Sequence, residues 1–530
     1  MKIHRLLLSI LFISVVLINC KGKDPIPTIE DPPGGIDKSL SCSNTQEQGI
    51  YRTFYQPKQG FVGDAMPYYN EDDKKFYLYF LYENANQHPI FLTRTEDYSS
   101  FEGFTQVLPA GPSGSQDEWI GTGSFIKKED TYYCFYTGHN ANLDPAEKIM
   151  LATSSDLVNW SKQPLATFQA LDTYDKNNFR DPHVYWDENQ NSYVMLITTR
   201  KSGKGALARY QSSDLNNWSI MEPLVATSSE SPTQYEIETD SEILECPDIF
   251  KMGDKWYLTF SRINRDKHRK TYYRVSDSPD GPWKVFRDEN GKHETFDGLY
   301  LYAGKTASDG STRYLSGWAS TGQTVNENNE LPWSGNLISH KLVQDPSGKL
   351  YPAIPEAVDE KFKIDVPYEK IDSEGTVIEK AGEYTIESEG SKRSYALFNR
   401  NTTPVKVSMK IDASQSNRFG FSFGACEDMS EIYSVTFDLM AANHAQMPAL
   451  FMYQENKYST TKNELNFTPL IIPTNKKFDI KIVIENSICV VYVNNQVAFT
   501  NRIRKINQNP WTIFSDQGAI KVSAVKIEKS

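Results

Sequence analysis

Cysteine and histidine are both scarce in this chain of 530 residues, with 6 and 8 copies. The cysteines stand at 20, 42, 134, 246, 426 and 489 without CxxC spacing, and the histidines form no HxH or HExxH cluster, so neither a disulfide framework nor a zinc site is expected. A DxDxDG calcium loop is missing too. Positive charge is in deficit. With 56 Lys and Arg against 68 Asp and Glu the net charge is −12, which speaks against a nucleic-acid binder, whose surface must neutralise phosphates. Low-complexity tracts are absent and aromatic residues reach 12%, so the chain has the material for a folded core.

Long apolar runs are also lacking, apart from Leu6 to Ile18. That run is too short to span a membrane as a helix, and it follows Lys2 and Arg5, which is the layout of a secretory signal over residues 1–19. Leu17-Ile18-Asn19-Cys20 resembles a bacterial lipobox, which implies that Cys20 becomes the lipidated first residue of the mature protein. The expectation is an exported protein anchored by lipid to a bacterial membrane, at the cell surface or in the periplasm. Residues 20–45 read as the lipidated terminus and a Pro- and Gly-rich tether.

A weak repeat organises the chain beyond the tether. Five runs dense in aromatic and β-branched residues (Phe76 to Tyr82, Tyr132 to Thr137, Tyr193 to Thr199, Trp256 to Phe260, Arg313 to Trp318) begin 56, 61, 63 and 57 residues apart. Each follows a turn-rich cluster such as Asn70-Glu71-Asp72-Asp73, and so marks a hairpin. Ser155-Asp156-Leu157-Val158-Asn159-Trp160 returns as Ser213-Asp214-Leu215-Asn216-Asn217-Trp218, one turn in successive units. No long stretch of helical period appears between residues 60 and 350, and a period of about 60 residues holds four short strands with their turns. The expected fold is all-β, with a five-bladed β-propeller over residues 46–358. From 359 to 530 the repeat is lost. Alternation in Arg418 to Ser422, Ser434 to Asp438, Ile480 to Ile484 and Val490 to Val493, with Asn494-Asn495 as a turn, predicts a separate C-terminal β-sandwich.

The innermost strand of a propeller blade lines the central channel, so residues at its entrance converge from distant parts of the chain. Upstream of three hairpins stand Asp64, Asp181 and Glu245, each followed within three residues by Pro. They are expected in equivalent positions, aimed at one axial pocket. One such acid alone reads as a solvated turn, but three in matching places crowd like charges, which is costly without a function. Three carboxylates without metal-binding His suit glycosidic cleavage, in which one acid protonates the leaving oxygen and another attacks or stabilises an oxocarbenium-like centre. Calcium binding is the competing use.

At these residues the sequence resembles glycoside hydrolase family 32, the fructan and sucrose hydrolases. The resemblance is carried by Arg180-Asp181-Pro182 and Glu245-Cys246-Pro247-Asp248, by Trp119 with Gly121-Thr122-Gly123-Ser124, by Phe296-Asp297-Gly298 with Gly317-Trp318, and by Pro332-Trp333-Ser334-Gly335. It covers about residues 55 to 530 and implies a propeller followed by a sandwich. It also implies a retaining β-fructosidase of levanase, inulinase or invertase type, with Asp64 as nucleophile, Asp181 as transition-state stabiliser and Glu245 as general acid/base, and no metal or cofactor. Trp119 and Trp318 are then candidate sugar platforms, and Arg180, Thr122, Ser124 and Asp297 candidate partners of the substrate. Arg180 is expected to favour an ionised Asp181 if it pairs with it, and Glu245 to keep its proton in a drier setting.

One block departs from the family. Its usual WMNDPNG reads Phe61-Val62-Gly63-Asp64-Ala65-Met66-Pro67 here, keeping the Asp but losing the Asn before it and the Asn-Gly after it. Two other readings therefore stay open: an inverting hydrolase of the family 43 type acting on arabinan or xylan, and a surface glycan-binding lipoprotein without activity. The expected partners are a fructan or fructo-oligosaccharide and, through the lipid, a membrane; no nucleic acid is expected.

Overall fold

The computed structural model describes residues 50–530 except 85–86, 227–242, 264–268, 289–290, 323–330, 391, 427–428, 430, 457–461 and 504–508. The signal, Cys20 and the tether lie outside the described residues. The described chain is built almost wholly of antiparallel strands, and no helix in it is long and apolar enough to cross a membrane.

Five successive units follow one plan. In the first, Phe61–Asn70 pairs with Lys75–Glu83, then Ile90–Thr95 and Glu102–Leu108 follow outward. The later units begin at Trp119–Lys128, Phe179–Asp187, Glu245–Met252 and Tyr302–Ser308. The five aromatic runs predicted as hairpins fall in the second strand of each unit, for example Thr131–His139 and Ser192–Lys201. These second strands are buried on both faces along most of their length, so they read as near-continuous apolar runs. The repeated turn recurs as read: Leu157 and Leu215 have φ of 65° and 66°, and Asp156 and Asp214 each accept two backbone N–H groups from the next residues along the chain.

The first strand of each unit touches the first strand of the next, and Tyr302–Ser308 returns to touch Phe61–Asn70. Units one and five are also hydrogen-bonded through Val62 and Gly335. Beyond a helical turn at Glu356–Lys361, residues 364–529 form a separate strand network around two 19-residue strands, Val405–Phe423 and Trp511–Lys529, paired along most of their length. Every strand predicted there is present, and Asn494 and Asn495 are both left-handed, as a tight hairpin requires.

The two parts share a core. Phe54, Tyr257, Leu350 and Phe362 pack with Val483, Ile488, Val490 and Tyr492 in one cluster. Polar groups sew the same seam. Glu485 accepts the backbone N–H groups of Arg52, Thr53 and Phe54 at 2.8–2.9 Å. Arg502 donates to Ser320 O at 2.8 Å and to Asn336 Oδ1 at 2.9 Å. Asp297 accepts from Thr500 N at 2.8 Å, Thr500 Oγ1 at 2.5 Å and Gly298 N at 2.6 Å, and lies 3.0 Å from His340 Nε2.

Removing Asp297 would leave those buried donors unpaired, which costs about 1–3 kcal/mol for each group left without a partner. The Asp297→Ala variant is therefore expected to lose at least about 1 kcal/mol of unfolding free energy and so to unfold at a lower denaturant concentration than the parent. Chemical denaturation followed by tryptophan fluorescence checks this; an unchanged midpoint would contradict the seam's role.

Candidate active site

Each of the five first strands carries one extra residue near its start. The pairing register with the second strand slips at Gly63-Asp64, Thr122, Asp181-Pro182, Cys246-Pro247 and Ala303-Gly304. Such bulges bend a strand and re-aim its side chains. Asp181, Cys246 and Ala303, the first bulged residues of units three to five, are all left-handed, with φ of 56°, 51° and 55°. Pro182 and Pro247 fall inside the bulges, where a missing N–H breaks no ladder.

The bulges correct one expectation: the acids are not in strictly equivalent positions. Glu245 is the last paired residue before its bulge, Asp181 the first residue within one, and Asp64 the second. They meet nonetheless. Cys246 Sγ lies 3.8 Å from Asp64 Oδ2 and 3.8 Å from Asp181 Oδ2, and Cys246 directly follows Glu245. Thr122 Oγ1 donates to Asp64 Oδ2 at 2.5 Å and Trp318 Nε1 to Asp64 Oδ1 at 2.7 Å, so each oxygen of Asp64 has its own donor. Asp181 accepts the N–H of Cys246 at 3.0 Å, and its own N–H donates to Thr137 Oγ1 at 2.8 Å. Glu245 accepts from Arg180 Nη2 at 2.9 Å and from the Tyr302 hydroxyl.

The charges divide unevenly. Burial, opposed by Arg180 and reinforced by Glu245 and Asp64, pushes Asp181 up to about 7. Burial also raises Asp64, against the hydrogen bonds from Thr122 and Trp318. At Glu245 burial is outweighed by Arg180 and Tyr302, which hold its carboxyl below the usual glutamate range. Arg180 therefore pairs with Glu245, and with Glu147 at 3.5 Å, rather than with the Asp181 beside it in sequence. In the free protein the Asp64–Asp181 side of the cluster holds a proton more readily than Glu245 does.

The other predicted residues separate. Thr122 and Trp318 belong to the cluster, but both are buried and spend their donors on Asp64, so they position a carboxylate instead of presenting a face to sugar. Trp119 stays partly exposed, with its ring edge-on to His88 at 5.1 Å. Ser124 is buried, accepts the N–H of Val184 at 3.0 Å and lines a separate cavity of about 220 Å³ with His183 and Lys305. Asp297 belongs to the seam, where its partners occupy both oxygens, and does not serve as a sugar ligand. Sequence reading missed Tyr302, Thr137, His88 and Trp333 as site residues; Tyr302-Ala303, Phe135-Tyr136-Thr137-Gly138 and Pro332-Trp333-Ser334-Gly335 are stretches that resemble the family and so gave a signal for three of them, whereas His88 had none. The free cysteines among the described residues are Cys134, Cys246 and Cys489, whereas Cys426 is disulfide-bonded, which its isolated spacing gave no reason to expect.

Comparison with known proteins supplies the context for this geometry. The description "Glycosyl hydrolases family 32 N-terminal domain" matches residues 54–351. The chain belongs to glycosyl hydrolase family 32. A further description, "GH32, BT1760-like, C-terminal domain", matches residues 348–527. This family 32 chain is 26% identical over 275 residues to the insoluble beta-fructofuranosidase isoenzyme CWINV1 of Arabidopsis thaliana, covering 46% of the chain and 44% of that protein. It is 26% identical over 279 residues to a sucrose-6-phosphate hydrolase of Zymomonas mobilis subsp. mobilis, covering 48% and 52%. The matched part thus spans about half the length of these curated relatives. In fold it is similar to exo-inulinase from Aspergillus awamori, with a TM-score of 0.68 at 15% identity over 92% of this chain and 99% of that one. Fructan 1-exohydrolase IIa from Cichorium intybus gives a TM-score of 0.65 at 15% identity over 91% and 98%.

The crowded carboxylates of this family 32 site make a prediction about stability. An acid whose folded value stands at about 7, above its unfolded 3.8, makes the folded state lose stability as pH rises between those values, by up to about 4 kcal/mol once above both. Asp181→Asn removes that loss. The variant is expected to melt above the parent at pH 8, with the gain shrinking as pH falls from 7 toward 4. Thermal unfolding across that range checks the slope.

Proposed function

We propose that this protein is a glycoside hydrolase that cleaves β-fructosides, in fructans or sucrose-type sugars, by double displacement at Asp64, Asp181 and Glu245. In this reading the five units are the blades of a five-bladed β-propeller over residues 46–358, and residues 359–530 are a β-sandwich packed on it. The single observation that carries the proposal is the convergence of three carboxyl groups around Cys246 in a chain of family 32.

Asp64, fixed by Thr122 and Trp318, attacks the anomeric carbon while Glu245 gives its proton to the leaving oxygen. Water then attacks the fructosyl–Asp64 ester, and Glu245 takes the proton of that water. Asp181 faces the positive charge that develops at the ring oxygen, and an ionised carboxylate there stabilises it. The proton that the free cluster keeps near Asp181 and Asp64 must reach Glu245 before the first step. A substrate hydroxyl that engages Arg180 weakens its hold on Glu245 and allows that transfer. The family 43 reading rested on the same acids, and membership in family 32 decides against it.

Export and lipid attachment at Cys20 are part of the proposal. They are supported by the sequence of residues 1–20 and by the disulfide at Cys426, a bond that persists in oxidising compartments.

Purified protein incubated with levan, inulin and sucrose is expected to release fructose first as the β anomer, visible by rapid NMR. Asp64→Asn and Glu245→Gln should each lower kcat by at least about a thousandfold with the fold intact. An initial α product, or full activity in Asp64→Asn, would overturn the mechanism. The pH profile provides a separate check. The active free enzyme carries one proton on the cluster, whose highest step stands at about 7, so kcat/KM should fall as pH rises through neutrality. A profile flat to pH 9 would contradict that proton count.

A further inference from the structure

One buried cation near the acids has no acid of its own. Lys305 is 3% exposed and stands on the first strand of unit five, two residues past the bulged Ala303. Among the described residues it pairs with no carboxylate, and its Nζ donates to the backbone oxygen of Gly123, in unit two, at 3.0 Å. Taking an ammonium out of water is costly when no carboxylate offsets the loss, so its place has to be explained by what it touches.

Gly123 follows Thr122, the bulged residue whose hydroxyl bonds Asp64. The backbone oxygen of Thr122 accepts from Thr137 Oγ1 at 3.0 Å, and that same Oγ1 receives the N–H of Asp181. The N–H of Gly123 lies 3.1 Å from Sδ of Met66, two residues past Asp64. A Cβ at Gly123 would stand 2.0 Å from Phe135 O, so this backbone is pressed against the second strand of its own sheet. Lys305 thus reaches from unit five to the one short segment of unit two that contacts both Asp64 and the mount of Asp181.

The ammonium also bears on the acids through its charge. It opposes the burial that raises the Cys246 thiol, and Cys246 Sγ lies 3.8 Å from both Asp64 and Asp181. Other titratable groups surround it, for Lys305 shares its cavity of about 220 Å³ with Tyr68 and Tyr69 of unit one, His183 of unit three and Asp248 of unit four. Burial, helped by Lys305 and Arg313 and opposed by Asp248, holds the His183 ring down to about 4, so it adds no charge near neutral pH. Asp248 accepts the N–H of Thr306 at 2.6 Å, and its charge acts on Arg313. Arg313 thereby answers Asp248, which leaves the charge of Lys305 to the acid cluster.

We propose that Lys305 is a positioning residue for the nucleophile: it holds the Thr122–Gly123 bulge, and with it the hydroxyl that fixes Asp64, while its charge favours the ionised carboxylate that attacks. This rests on the β-fructosidase reading above. Lys305 touches no substrate in this role, so its removal acts on kcat and on the pH profile rather than on KM.

Lys305→Met is expected to lower kcat for sucrose at least about thirtyfold, with KM changed less than about threefold. A nearby cation favours ionised carboxylates, so without it the cluster keeps its proton to higher pH. The fall of kcat/KM with rising pH should therefore move up by at least about half a pH unit in Lys305→Met, while Lys305→Arg, which keeps the charge, should leave it within about 0.2 of wild type. Combined with Thr122→Val, Lys305→Met should cost less than the product of the two single losses in kcat, because both act on Asp64. A fall at the wild-type pH in Lys305→Met, or losses that multiply in the double variant, would overturn the inference. If Lys305→Met does not fold, Lys305→Gln, which can still donate to Gly123 but carries no charge, takes its place with the same expected shift. If wild type cleaves no fructoside, the hydrolase reading fails by itself, and the hold of Lys305 on the acids is then read from thermal unfolding. Acids whose proton affinity is raised in the folded state lose stability as pH rises, so the melting temperature should drop further between pH 5 and pH 8 in the uncharged variant than in wild type. An equal drop would overturn it.

Discussion

Three carboxyl groups crowd around Cys246, and keeping them there is the electrostatic constraint on which the rest of the structure depends. Like charges so close cannot all ionise cheaply out of water. Each acid is accommodated differently: Asp64 by a hydroxyl and an indole N–H, Asp181 by a backbone amide, Glu245 by a guanidinium and a phenol. Those unequal surroundings separate the acids by proton affinity, which is what distinct roles in acid–base and nucleophilic chemistry demand.

Backbone irregularity makes the arrangement possible. A regular strand alternates its side chains between two faces, and regular first strands would send most of these groups into the packing between sheets. The extra residue in each first strand re-aims side chains at the point where the first strands approach one another. The first strands of units three and four are edge strands of their sheets, where a proline removes little hydrogen bonding, so Pro182 and Pro247 fit where a central strand would reject them.

The seam with residues 364–529 holds the last unit in place. Unit five supplies Trp318 and Tyr302 to the cluster, and Arg502 bonds the carbonyls of Ala319 and Ser320 just beyond Trp318. The C-terminal strands thus brace the segment that carries the Asp64 anchor without touching the acids. Departure from the family pattern at Gly63 has a physical counterpart in the same region, since the space is filled by Trp333.

The aromatic runs, the repeated Ser-Asp-Leu turn and the alternation after residue 359 were legible because each reflects a local rule: strand period, turn chemistry, or burial of a strand between neighbours. The acids at 64, 181 and 245 were legible through their place before the hairpins and the motifs around them. Tertiary structure alone decided what each side chain faces. Arg180 adjoins Asp181 along the chain, yet the bulge turns them apart and gives the guanidinium to Glu245. Asp297 sits in a family motif, yet its partners come from residues 340 and 500. His88 carried no motif and gains its place only by stacking on a tryptophan 245 residues away in sequence. Sequence determines which elements form because those forces act over a few residues; it leaves the pairing of charges and rings open because those partners are brought together only when strands distant in sequence pack against one another.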